Sequence, residues 1–206
     1  MGSSRRRPAL SALLLVLAGL GAACASAREV PILATAQVAE DFATYRLRRV
    51  GLPPVAGERL DVEHGSELQE SLFAELSRTT PYELVALLPE DLAEVLESEP
   101  HRRGRYAPRT VADVARRFDL DGVLFATVTH QRHFPPLQVS VQVDLVAAET
   151  GLVIWSGSVH LDATDPRVRR GLEVWGGGDV DGTWQVALLS PDRFARFAAW
   201  QIASLL

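Results

Sequence analysis

The chain has one cysteine in 206 residues and no lysine, so all 21 of its basic residues are arginine. A lone thiol excludes an intramolecular disulfide and leaves Cys24 to be explained by chemistry of its own. No apolar run reaches the length of about 20 residues that a helix needs to cross a bilayer; the longest extends from Leu10 to Leu20. There is no Walker-type phosphate loop, no glycine-rich dinucleotide fingerprint and no elbow around a nucleophilic serine. The one glycine run, Gly176-Gly177-Gly178, has no lysine beside it with which to hold a phosphate. These absences remove the common cofactor-dependent and nucleophile-dependent enzyme classes. They favour a binding or structural module with no cofactor, no metal and no catalytic residue.

What is present begins with the leader. Arg5, Arg6 and Arg7 form a positive n-region, Leu10 to Leu20 an apolar h-region, and Gly21-Ala22-Ala23 a small-residue cleavage site ending on Cys24. This arrangement resembles a bacterial lipoprotein signal, with residues 1–23 as the signal peptide and Cys24 as the lipidated first residue. The alternative is an ordinary secretory cleavage near Ala27. Acyl chains contribute roughly 0.8 kcal/mol per buried methylene, and several chains make attachment to a membrane stable. Cys24 is followed by Ala25 and not by aspartate, which by the same resemblance points to the periplasmic face of the outer membrane. Beyond the leader, 18 arginines stand against 26 acidic residues, a balance of −8. Such a domain is a poor match for nucleic acid or for anionic lipid heads.

Residues 24–45 show no periodicity and are expected to form a tether ending in a short element around Val38 to Tyr45, leaving 46–206 as one α+β globular domain. Val50 and Leu52 suggest a short strand stopped by Pro53-Pro54. Ser66 and Gln69 have capping-box spacing, and Leu68, Leu72 and Leu76 recur along one face, which predicts a helix over 66–78. A strand over 82–88 follows. Pro89 then opens a short helix with Leu92, Val95 and Leu96 inward, and 99–106 is expected to be a solvated loop. Val111, Val114, Ala115 and Phe118 predict a helix over 109–118. Residues 123–130 form an apolar strand. Leu137, Val139, Val141, Val143 and Leu145 alternate with polar residues through Asp144, as in a strand with one buried and one wet face. Glu149-Thr150-Gly151 turns the chain into an antiparallel strand carrying Val153, Trp155, Val159 and Leu161. Asp165-Pro166 starts a helix through Leu172, residues 175–179 form a loop, and Ser190-Pro191 caps a C-terminal helix with Phe194, Phe197, Ala198, Ile202 and Leu205 on one face. The sum is a mixed sheet of about four to five strands with helices on one or both faces and an antiparallel meander in the second half.

Three groups of residues could carry chemistry. Asp119 and Asp121 flank a turn, and His130 and His133 lie three apart, which on a strand sends them to opposite faces. Together they define the alternative reading, a membrane-anchored hydrolase using Asp and His as acid and base. Asp162, Asp165, Asp179 and Asp181 could gather around a hard cation, but their spacing departs from the calcium-loop pattern. Trp175 and Trp184 bracket the glycine-rich stretch and are candidate partner-binding residues, since tryptophan anchors many interfaces.

The segments Arg49-Val50-Gly51-Leu52-Pro53-Pro54, Leu120-Asp121-Gly122-Val123-Leu124-Phe125 and Val143 to Trp155, in this order, resemble the TolB amino-terminal-domain-like envelope lipoproteins, the group of the curli secretion lipoprotein CsgG and the penicillin-binding-protein activator LpoB. The likeness spans roughly 47–161. It implies a non-enzymatic lipoprotein that serves an envelope assembly or secretion machine, with a membrane and an envelope protein complex as partners, and it leaves self-association into a homo-oligomer open. The long amphipathic pore hairpins of the secretion channel have no counterpart here.

Overall fold

A computed structural model of the chain describes residues 29–57, 60, 62–93, 101–102, 105–177 and 184–206. The leader, Cys24, Val95 and Leu96 lie outside the described residues. The elements are β1 (Thr35–Val38), β2 (Arg49–Leu52), β3 (Ala56–Gly57), α1 (Val62–Thr79), β4 (Glu83–Ala86), α2 (Pro89–Leu92), β5 (His101–Arg102), β6 (Arg105–Tyr106), α3 (Pro108–Phe118), β7 (Gly122–Arg132), β8 (Gln138–Ala147), β9 (Val153–Asp162), α4 (Pro166–Trp175), α5 (Trp184–Ala187) and α6 (Pro191–Ala203).

The expected mixed α+β domain is observed. Its main sheet runs β1-β9-β8-β7-β2-β4, with β3 also paired to β7, and β1 and β3 bring it to seven strands. β4, β2 and the start of β7 are mutually parallel, whereas β7, β8, β9 and β1 form the antiparallel meander. The hairpin between β8 and β9 turns at Gly151, whose φ of +70° is cheap only without a Cβ, and a Cβ there would press on Pro108.

Apolar layers cover both sides of the sheet, which explains two different strand patterns. On one side Leu68, Leu72 and Leu76 of α1 and Phe194, Phe197 and Ile202 of α6 pack on Val50, Leu52, Leu124, Val141, Val143 and Leu145. On the other, Val111, Val114 and Ala115 of α3 meet Val123, Phe125 and Val146. β7 is buried on both faces at its start and reads as a continuous apolar run, as parallel-sheet strands do. β8 alternates only while its second face is open, through Gln142. From Asp144 onward it too is covered, and Asp144 is 2% exposed rather than on a wet face.

Other expectations also need correction. The expected short element around Val38 to Tyr45 is the single 3-10 turn Phe42–Thr44, but the residues before it are not tether: β1 pairs antiparallel with β9 from Thr35↔Ser158 to Val38↔Trp155. Ahead of it the buried Gln201 side chain accepts from Leu33 N at 2.6 Å and donates to Pro31 O at 2.9 Å. α1 begins a turn before Ser66, whose hydroxyl donates back to Val62 O instead of capping. Residues 101–106 contain the small β5–β6 hairpin in place of an irregular loop. Val153 is 38% exposed, because the bulge that places Leu145 opposite Trp155 and Val146 opposite Val153 breaks the alternation. The C-terminal helix forms as expected, with Ser190 Oγ accepting from Arg193 N and Pro191 in its first turn.

Candidate functional site

The residues that sequence reasoning proposed for catalysis are not brought together. Asp119 ends α3 in the left-handed conformation (φ 53°), and its exposed carboxylate lies 3.6 Å from Arg49. Asp121 accepts from the backbone amides of Arg48 at 2.8 Å and Arg49 at 3.0 Å, tying the entry of β2 to that of β7. Partial burial pushes its carboxyl upward, but those two amides and the Arg48 guanidinium outweigh it and hold the group below the ordinary range. His130 bonds Gln138 at 3.0 Å near the far end of β7, about 30 Å away at roughly 3.3 Å per residue. His133 packs against His64 with ring centroids 3.8 Å apart. No acid-base pair can be drawn from groups so placed.

The acidic quartet is likewise divided. Asp162 is held below its ordinary range by the hydroxyl and amide of Thr164, and Asp165 by Arg167, whose amide it caps at the start of α4. Both carboxylates are thus occupied by local donors, while Asp179 and Asp181 lie outside the described residues. Among the described residues no group of three His, Cys, Asp or Glu side chains could hold a metal ion.

Trp175 and Trp184 are not displayed on a loop. Trp175 is the last residue of α4, half-buried with its ring 5.5 Å from that of Phe197, and Trp184 opens α5 beside Gly176. Both are half-buried. The exposed aromatic that sequence reasoning missed is Phe134, 81% exposed in the β7–β8 connection.

The concave site lies elsewhere and is built by topology. β2 and β4 run parallel, so both release the chain at the same end of the sheet. Pro53-Pro54 end β2, and the chain rejoins the sheet as β3, opposite Thr127 and Val128 of β7. α1 crosses in front of this opening. Its Gln69 closes the floor, donating from Nε2 to Leu52 O at 3.0 Å and Leu87 O at 3.1 Å, so the carbonyls at the strand ends are satisfied. What remains is a groove of about 530 Å³ walled by Pro54, Val55, Leu60, Val62, Phe73 and Leu88, with Glu70 at its mouth. Val62 is 86% and Leu88 50% exposed. The outer sides of parallel strand ends are where open sheets most often receive ligands. The lining is mostly apolar, and its one hydroxyl, Ser66 Oγ, donates to Val62 O at 2.9 Å, so the groove suits apolar binding. None of these residues forms a sequence motif. The two prolines were the available signal.

Among the described residues no helix is long and apolar enough to cross a membrane. No family model matches the chain, and no curated protein matches it. Solved structures do show likeness. The PelC dodecamer from Paraburkholderia phytofirmans is 14% identical, with 84% of this chain and 97% of that one covered at a TM-score of 0.49. Lipoprotein GNA1162 from Neisseria meningitidis is 23% identical, with 55% and 79% covered at 0.40. The LpoB C-terminal domain from Escherichia coli is 16% identical, with 55% and 82% covered at 0.39. Likeness at these values does not assign the chain to a family.

Proposed function

We propose that the chain is a lipid-anchored lipoprotein of the periplasmic face of the outer membrane, a non-enzymatic accessory that binds a protein of an envelope assembly or secretion machine. The observation that carries this reading is Cys24, the only thiol, placed directly after a basic and apolar leader. The structure supplies a reason for its position. Pro31, Leu33 and Ala34 are already clamped to α6 by Gln201, so the chain between Cys24 and Pro31 can reach about 25 Å at most. An anchor there holds the domain close to the membrane, within reach of partners embedded in it. The wide separation of Asp119 and Asp121 from His130 disfavours the hydrolase reading. Binding surfaces are available in the apolar groove and at the half-buried Trp175 and Trp184.

The test is metabolic labelling with a radioactive fatty acid, followed by membrane fractionation and complementation in a deletion strain. Wild type should take up label and sediment with membranes. Cys24→Ala should do neither, while keeping the melting temperature of the wild-type domain. Equal incorporation in both would overturn the reading.

A further inference from the structure

The groove adjoins an unfinished sheet edge. In the parallel pairing of β4 with β2, Glu83 N donates to Arg48 O at 2.7 Å and Leu87 N to Leu52 O at 3.0 Å. Residues 83, 85 and 87 therefore bond inward, and the alternation turns the amides and carbonyls of Leu84 and Ala86 outward in the plane of the sheet. Among the described residues none pairs with that edge. Side chains alternate in the same way. Leu84 is buried on the α1 side, and Ala86, two residues on, shares that face and lines the groove. A strand added along β4 would thus lay every second side chain against Phe73 and Leu88.

Natural edges are commonly blunted by charge or proline. β4 is Glu83-Leu84-Val85-Ala86, and its one charge is engaged by Arg49 at 3.3 Å. The charge at the mouth has one sign. Glu70 lines the groove, Glu90 follows the lining Pro89, and both are exposed and carry no ion pair among the described residues; Asp91, next to Glu90, accepts from the Leu88 amide at 3.1 Å, and no cation occurs among the described lining residues.

We infer that β4 and the groove receive an extended segment of a partner protein as an additional strand. Its alternate apolar side chains enter the groove, and arginine or lysine residues at its ends meet Glu70, Glu90 and Asp91. Main-chain bonds to Leu84 and Ala86 supply the alignment, and the apolar pocket and acidic mouth supply the selection. The inference rests on the reading of the chain as a binding module and names the chemistry of what it binds.

Fluorescence anisotropy of the full chain in detergent micelles tests it. The probe is a labelled ten-residue peptide of alternating leucine and threonine with an arginine at each end. Three changes should each weaken saturable binding at least tenfold: N-methylation of alternate peptide amides, glutamate in place of the terminal arginines, and Glu70→Arg with Glu90→Arg in the protein. Ala86→Pro removes an outward amide without touching the β2 ladder, and it should weaken binding as much with the melting temperature held within a few degrees. Absence of saturable binding, or binding indifferent to N-methylation, would overturn the inference even if Ala86→Pro failed to fold. Concentration-dependent self-association abolished by Ala86→Pro would make the occupant a second copy and overturn the assignment to a partner. The titration does not depend on the lipid, so its failure leaves the anchor at Cys24 standing. Failure of the labelling experiment in turn leaves the titration interpretable.

Discussion

Replacing Asp144 should be among the costlier changes on the α3 side of the sheet. The residue is 2% exposed and has no ion pair among the described residues, and its carboxylate accepts from neutral donors: Tyr106 Oη at 2.6 Å, Gln142 Nε2 at 3.0 and 3.1 Å, and Ser156 Oγ. Tyr106 is in turn fixed by stacking on Phe125 with centroids 4.5 Å apart. A hydrogen bond to a charged group is worth about 1.5–3 kcal/mol, and burying an ion costs several kcal/mol, so the two nearly cancel in the intact network. Asp144→Ala removes the acceptor and strands three donors. Tyr106, Gln142 and Ser156 are half-buried and partly recover bonds to water, which brings the expected loss to about 2–4 kcal/mol. Asp144→Asn keeps the shape, and the two hydroxyls can reverse direction, so it should cost less than about 2 kcal/mol. Urea unfolding of both variants and of Tyr106→Phe gives the numbers, and the double-mutant cycle between positions 144 and 106 should show coupling of about 1–3 kcal/mol. A loss below about 0.5 kcal/mol for Asp144→Ala, or simple additivity in the cycle, would refute the network.

Two further outcomes follow from side chains that join distant segments. Gln201→Leu leaves the amide of Leu33 and the carbonyl of Pro31 without their partner, so the domain should lose about 2–3 kcal/mol. Amide exchange at Leu33 and Ala34 should accelerate, and unchanged protection there would contradict the clamp. Asp121 titrates lower in the folded protein than in the unfolded chain, so its contribution is complete above the ordinary aspartate range near 3.8 and is lost as pH falls from there through the folded value. Asp121→Asn should therefore flatten the acid limb of a stability profile below about pH 4, and coincident limbs for variant and wild type would sink the assignment.

Where local chemistry decides, the sequence was enough. Ser190-Pro191 opens α6, Asp165-Pro166 opens α4, and the period of two through Val139, Val141 and Val143 marks β8. Each depends on neighbours within a turn or a strand. Local spacing also misled where a distant partner won. Ser66 and Gln69 have the spacing of a capping box, yet Gln69 is spent on the ends of β2 and β4, and Ser66 lies inside the helix.

The remainder belongs to the tertiary structure. β1 left no pattern because its four side chains are exposed and it is held chiefly by backbone pairing, with a strand more than a hundred residues away. Asp144 looks like a wet-face residue until Tyr106 and α3 close over it. The groove draws its walls from three segments that share no motif, and its open edge exists only because β4 ends the sheet order. Hydrophobic period and capping residues act through contacts a few residues apart and can be read along the chain. Burial, strand neighbours and concavity depend on which distant segments meet, and the folded packing alone decides that.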